Sequence, residues 1–238
     1  RRRIVQTIAL GGAAQPSLAR QGEAIFHDAR RSLDQWYSCH SCHYDGGGNA
    51  VPIDTLNDGT SFTFKTVTPL WNVHETAPWT WHGWQTDLSA AMRKSLTSTM
   101  LGPEPSDDDV AALLAYLKTL QPPTNPYRQA DGSLTAAAQR GQAIFQGAKA
   151  GCSVCHAGPY FTDGLVHDVG LGRPADKHQG FNTPSLVGCG QKIGLLHDGR
   201  ADSLEEALRG DHAPEKVAGE GPLTEAELAD LIAYLMSL

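Results

Sequence analysis

Hydrophobic positions recur at helical spacing in two related pairs of stretches along this chain. "RQGEAIF" from Arg20 and "QRGQAIF" from Gln139 each place an Ile-Phe pair, Ile25-Phe26 and Ile144-Phe145, on one face of a predicted helix. "SDDDVAALLAYLKTL" from Ser106 and "TEAELADLIAYLMSL" from Thr224 each begin with an N-cap hydroxyl and acidic residues in the first turn. Apolar residues at helical spacing follow. Alternation is scarce. The clearest case is Ile4, Gln6, Ile8 and Leu10, which reads as one short strand.

These pairs are parts of a longer repeat. "CHSCHYDGGG" from Cys39 is answered by "CSVCHAGPYF" from Cys152, and "TPLWNV" from Thr68 by "TPSLVG" from Thr183. A histidine follows each of those threonines at the same distance, His82 and His197. The prolines and polar residues of "QPPTNPYRQADGS", Gln121 to Ser133, break any helix between the halves. The expected organisation is therefore a lead-in at 1–16, a first lobe at 17–125 and a second at 126–238. Each lobe carries a helix, a Cys-x-x-Cys-His pentad, a long loop region, a short helix and a closing helix.

Composition narrows the partners. The chain has 238 residues, 40% hydrophobic, with a net charge of −7. That supports one large or two small cores, and argues against nucleic acid or an anionic membrane as partner. No apolar run is long enough to span a bilayer. "RRRIVQTIALGGAAQP" has a basic head, but Gln6, Thr7, Gly11 and Gly12 make a poor signal-peptide core. The expectation is that a longer protein precedes Arg1. "RRIVQTIALG" is similar to a β-propeller strand, which makes a propeller a candidate for that preceding domain.

Four of the five cysteines lie in the pentads, and the remaining one, Cys189, reads as buried and inert. A Cys-x-x-Cys-His pentad has three physical readings. In c-type haem attachment the two thiols bind the porphyrin vinyl groups and the adjacent histidine ligates iron. A structural zinc site needs four ligands from closely spaced pairs, whereas these pairs sit in separate lobes. A redox dithiol follows a strand in a thioredoxin-like unit, for which the sequence has no pattern. The tandem favours haem: Cys39, Cys42, Cys152 and Cys155 as thioethers, His43 and His156 as proximal ligands, and two c-type haems in all. His40, inside the first pentad, reads as a solvent-facing linker.

With these motifs in view the chain resembles the di-haem bacterial cytochrome c peroxidase and MauG superfamily. The closing "AYLKTL" and "AYLMSL" helices resemble class I cytochrome c lobes. "GEAIFHDARRS", "FTDGLVHDVG", "FNTPSL" and "LLHDGRADSLEEAL" carry the superfamily likeness, over nearly the whole chain after about Ser17. The resemblance implies a mainly α-helical pair of tandem cytochrome c-like lobes, each with a covalently attached haem facing a cleft between them. One haem passes electrons and the other meets peroxide. It also implies assembly outside the cytoplasmic membrane of a bacterium, in the periplasm or an equivalent compartment. Family members often hold a Ca²⁺ between the lobes, for which Asn57, Asp58 and Thr183 could contribute oxygens.

The distal ligands decide the chemistry, because a haem with two strong ligands moves electrons while one with an open position binds peroxide or oxygen. By class I likeness Met100 is the expected distal ligand of the first haem, with an apolar plug as its ordinary alternative. Met92 and Met236 read as core. In the second lobe His212 is the candidate and His197 its competitor, with His167 and Tyr160 behind. The peroxidase branch also implies a distal histidine in the loop after the first pentad, but "YDGGGNAVPIDTLNDGTSF" has none. It implies a carboxylate acid–base in the segment that here reads "PWTWHGWQTDL". Asp87 there reads as a helix N-cap, Glu75 is the other nearby carboxylate, and His82 is the substitute proton carrier. Trp71, Trp79, Trp81 and Trp84 read as core and interface, with hole relay as the alternative.

Three functions follow as expectations. One is a di-haem electron-transfer module of a larger redox protein, serving a redox partner protein or electron acceptor. The second is a peroxidase or MauG-like oxidase acting on hydrogen peroxide. The third is a haem sensor or interaction module.

Overall fold

The computed structural model describes residues 3–8, 11, 12, 15–49 and 51–238. In the first lobe α1 (Leu18–Phe26) leads to the pentad turn α2 (Cys39–Cys42). A long irregular stretch precedes α3 (Leu88–Lys94) and the closing helix α4 (Asp107–Leu117). In the second lobe α5 (Ala136–Gln146) is followed by a 3₁₀ turn at Cys152–Val154. A two-stranded antiparallel ribbon, β1 (Val166–His167) with β2 (Phe181–Asn182), comes next, then α6 (Leu204–Arg209), α7 (Pro214–Val217) and the closing helix α8 (Glu225–Met236). The fold is mainly helical. No described helix is long and apolar enough to cross a membrane.

The caps form where the polar pattern places them. Ser106 and Thr224 each complete a capping box, with Asp109 and Glu227 respectively. Asp87 caps α3 through the amides of Ser89 and Ala90. The expected strand at Ile4, Gln6 and Ile8 does not form: residues 3–8 have no pairing neighbour and these side chains face solvent. Leu10, the last member of that alternation, lies outside the described residues.

In each lobe the first helix crosses the closing helix at a glycine. A methyl group added to Gly22 would lie 1.9 Å from the Ala112 carbonyl oxygen, and one added to Gly141 would lie 1.9 Å from that of Asp230. Only glycine permits this approach, and it brings the Ile-Phe faces onto the closing helices. Phe26, Leu113 and Leu117 are buried in the first core, and Phe145, Leu231 and Tyr234 in the second. Each fully buried apolar side chain contributes about 1.5–3 kcal/mol. An ion pair from Arg140 to Asp230 ties the second crossing on the outside, and Arg31, beyond α1, pairs with Asp109 at the start of α4.

The lobes meet around the repeated histidines. The Thr66 amide donates to the His197 carbonyl at 2.7 Å, and the Asn182 amide to the Trp81 carbonyl at 2.9 Å. The Asn182 side chain donates to the Pro78 carbonyl at 2.7 Å, and Lys65 pairs with Asp176 at 2.5 Å. These contacts enclose a cavity of about 830 Å³ between the lobes.

Candidate functional site

Both pentads open on that one cavity. Its walls include Cys42 and His43 from the first lobe and Cys152, Cys155 and His156 from the second. In each pentad a helical turn carries the cysteine backbone, and the following histidine amide donates to the first cysteine's carbonyl at 2.9 Å, turning the imidazole inward. His156 is fixed further by a 3.0 Å hydrogen bond between Nδ1 and the Phe161 carbonyl oxygen. With the proton on Nδ1, Nε2 is the ligating nitrogen, the arrangement that metal-bound histidines use. His43 Nδ1 is buried with no partner. Burial pushes His43 down to about 4 and lowers His156 as well, so both are neutral near pH 7 and available as donors.

The thiols fit covalent attachment better than redox exchange. Burial pushes Cys39 and Cys152 up to about 11 and raises Cys42 and Cys155, the opposite of an activated thiolate. The two pairs do not converge. Among the described residues one cluster has metal-ligand spacing, Cys155 with Asp163 and His167, and it draws on a single pentad. The leftover Cys189 is partly buried, which pushes it up to about 12, and its thiol donates to the Leu235 carbonyl.

Across the cavity the halves differ. The His212 ring stands 6.4 Å from the His156 ring, centroid to centroid, at an interplanar angle of 83°. Two imidazoles bound on opposite sides of one metal, at about 2 Å each, have this order of separation. His212 Nδ1 is buried without a partner, and burial pushes the group down to about 4. Among the described residues no second imidazole is paired with His43 in this way. Met100 is 4% exposed within the first core and is not among the cavity's lining residues. Its sulfur lies 3.8 Å from Cys39 Sγ. Met92, which reads as core from sequence, does line the cavity, with Ser95, Ser98 and Thr99.

His82 and His197 sit on opposite sides of the Phe181 ring, at centroid distances of 4.7 and 4.4 Å. His82 Nδ1 lies 2.7 Å from the Gly180 carbonyl oxygen, while its buried Nε2 lacks a hydrogen-bond partner and lies 3.7 Å from Asp176. His197 is 1% exposed, neither ring nitrogen has a partner, and burial pushes it down to about 4. Its neighbour Asp198 is held at about 2 despite burial, because Arg200 and Arg173 pair with it.

The other candidates divide. His167 lines the cavity and pairs with Asp163 at 2.7 Å, whereas Tyr160 does not line it. Neither Glu75 nor Asp87 lines it. Trp71 belongs to the first core and Trp79 packs against it. Trp81 donates to the Thr66 carbonyl, and Trp84 stacks on His178. His40 is not a free linker: it stacks between His27 and Tyr44, at 4.3 and 4.9 Å. Of the oxygens suggested for Ca²⁺, Asn57 Oδ1 is buried without a hydrogen-bond partner and the others are engaged. Asp58 accepts from Thr60, the Asp58 carbonyl accepts from the Lys177 ammonium, and the Thr183 carbonyl accepts from Thr162. Asp176 and Lys192 were not anticipated. Both reach partners more than a hundred residues away, so no local pattern signals them.

The family model described as di-haem cytochrome c peroxidase matches residues 16–144. The chain belongs to this family. Its cofactors are therefore c-type haems, which suits two inward histidines, four unreactive thiols and one shared cavity. The hydrazine synthase subunit gamma of Kuenenia stuttgartiensis is 29% identical, over 93% of this chain and 77% of that one. The methylamine utilization protein MauG of Methylorubrum extorquens is 27% identical, over 94% and 78%. A solved chain of Kuenenia stuttgartiensis hydrazine synthase superposes over the full length of both chains, with a TM-score of 0.85 at 24% identity. That likeness is one of fold.

Proposed function

We propose that this member of the family is a two-centre oxidoreductase with a closed electron-transfer haem in the second lobe and an open, peroxide-binding haem in the first. The observation that carries this reading is the asymmetry across the cavity. His156 faces His212 at a distance suited to a shared iron, whereas among the described residues no imidazole is paired with His43 in this way. Haem iron, when bound, supplies one-electron transfer and, at an open position, reduction of an O–O bond.

The residues divide the work. Cys39 and Cys42, and Cys152 and Cys155, anchor the two haems, with His43 and His156 as proximal ligands. His212 closes the second site, and His197 serves as a wall of the cavity. Met92, Ser95 and Thr99 also line the cavity. Reduction of hydrogen peroxide to two waters consumes two electrons and two protons. The electrons come from a redox partner protein, through the second lobe. Proton delivery falls to His82, with its proton-bearing Nδ1 on the Gly180 carbonyl and Nε2 left as acceptor. Asp176, 3.7 Å from that nitrogen, supplies from the second lobe the carboxylate that the first lobe's own segment lacks. The relatives include a subunit of a larger enzyme, which supports a module working within a larger redox protein outside the cytoplasm.

The test is the reaction of the half-reduced protein with hydrogen peroxide, followed by stopped-flow absorption. Rapid bleaching or shift of one Soret component is expected, slowed about 10²–10⁴-fold in His82→Gln. No reaction of the native protein would leave the closed electron-transfer reading in its place.

A further inference from the structure

Two cationic side chains line the cavity among the described residues, Lys65 and Lys192. Lys65 is matched by Asp176. Lys192 has no carboxylate partner among the described residues, although it is largely enclosed. It springs from the second lobe and ends against the first. Its Nζ lies 4.6 Å from the Trp81 ring centroid and 3.4 Å from Thr66 Oγ1. The Thr66 hydroxyl gives its proton to the Leu196 carbonyl at 2.9 Å, so it meets the ammonium with a lone pair. Burial pushes Lys192 down to about 8.

An enclosed ammonium without a counter-ion is costly, by several kcal/mol when fully desolvated. A ring face and one hydroxyl offset only part of that. Among the described residues no carboxylate pairs with Lys192, but the cofactors offer one: each haem carries two propionates, and both haem-bearing pentads line this same cavity. We propose that Lys192 is the counter-ion of a haem propionate held between the lobes, and that its charge raises that haem's reduction potential. A positive charge near the ring favours the reduced form, which carries one more electron. The inference rests on the haem assignment alone and is independent of the peroxide reaction.

The experiment is spectroelectrochemical titration of the holoprotein and of Lys192→Met, Lys192→Gln and Lys192→Arg. Haem content is checked first, at two per chain. At a fixed potential, at least one haem of the Met and Gln variants should be about tenfold more oxidised than in the native protein. That is a fall of about 59 mV in its midpoint. Lys192→Arg should restore the native value. Two unchanged midpoints in a neutral variant carrying both haems would overturn the proposal. Sodium nitrite serves as a probe for a diffusible anion. If it perturbs the native spectrum but not that of Lys192→Met, and the midpoints agree, the ammonium serves a free anion and the propionate pairing is wrong. If the Met variant fails to mature, the Gln variant, close to Lys in length, carries the test.

Discussion

Replacing His212 with glycine isolates the closed site. The substitution removes an imidazole whose centroid lies 6.4 Å from that of His156 and whose buried Nδ1 has no other partner. If the second haem is bis-histidine and the first is open, the native ferric protein carries one low-spin and one high-spin centre. His212→Gly should convert the low-spin centre, so the low-spin share of the EPR intensity falls from one half to near zero. Added imidazole should restore it, since the vacated position is on the cavity wall. Loss of the side chain's packing should cost about 2 kcal/mol, or roughly 4–8 °C in Tm for a chain of this size, so the fold survives. A low-spin signal of undiminished intensity in the variant would refute the reasoning and return His197 to consideration.

Met100→Leu should leave both haem spectra unchanged, because Met100 is core and Leu conserves its volume; loss of a low-spin component would restore Met100 as a ligand. Gly22→Ala and Gly141→Ala should each disrupt the helix crossing and lower stability by more than about 2 kcal/mol, measured by thermal unfolding; unchanged Tm values would contradict the close approach. Asp198 is depressed to about 2 by its arginine partners. Its contribution is therefore present above the unfolded value near 4 and lost as pH falls from about 4 to 2, roughly 2 kcal/mol in all. Asp198→Asn should remove that contribution at pH 7 and flatten the acid limb of the stability profile; an unaltered limb would show that the pairing contributes little.

Much of the frame is readable along the chain because it is local. The capping boxes at Ser106 and Thr224, the Ile-Phe faces and the pentads are fixed by neighbours within a few residues, and the tandem repeats each of them. His212 stands out as the one histidine between the short and closing helices of the second lobe, and its ring stands near that of His156. Met100 is expected at the cavity and lies in the first core. A π-helical turn at Ser95–Thr99 widens the chain just before it and the backbone amide of Leu33 takes its carbonyl, which seats the sulfur in the core. Spacing from the closing helix does not register the contact with Leu33, which lies far back in the sequence. Asp176 and Lys192 were hidden for a different reason: their meaning lies in the other lobe, and neither sits in a recognisable motif. The lead-in shows the converse error, where alternation alone was read as a strand with no neighbour to pair with.

The central claim is the inequality of the two irons, and the spin state of the purified holoprotein tests it most directly. EPR with optical absorption on the ferric and half-reduced forms should give one low-spin centre and one high-spin centre, both already present in the ferric protein. Two low-spin centres that persist through half-reduction and do not respond to peroxide would contradict the account.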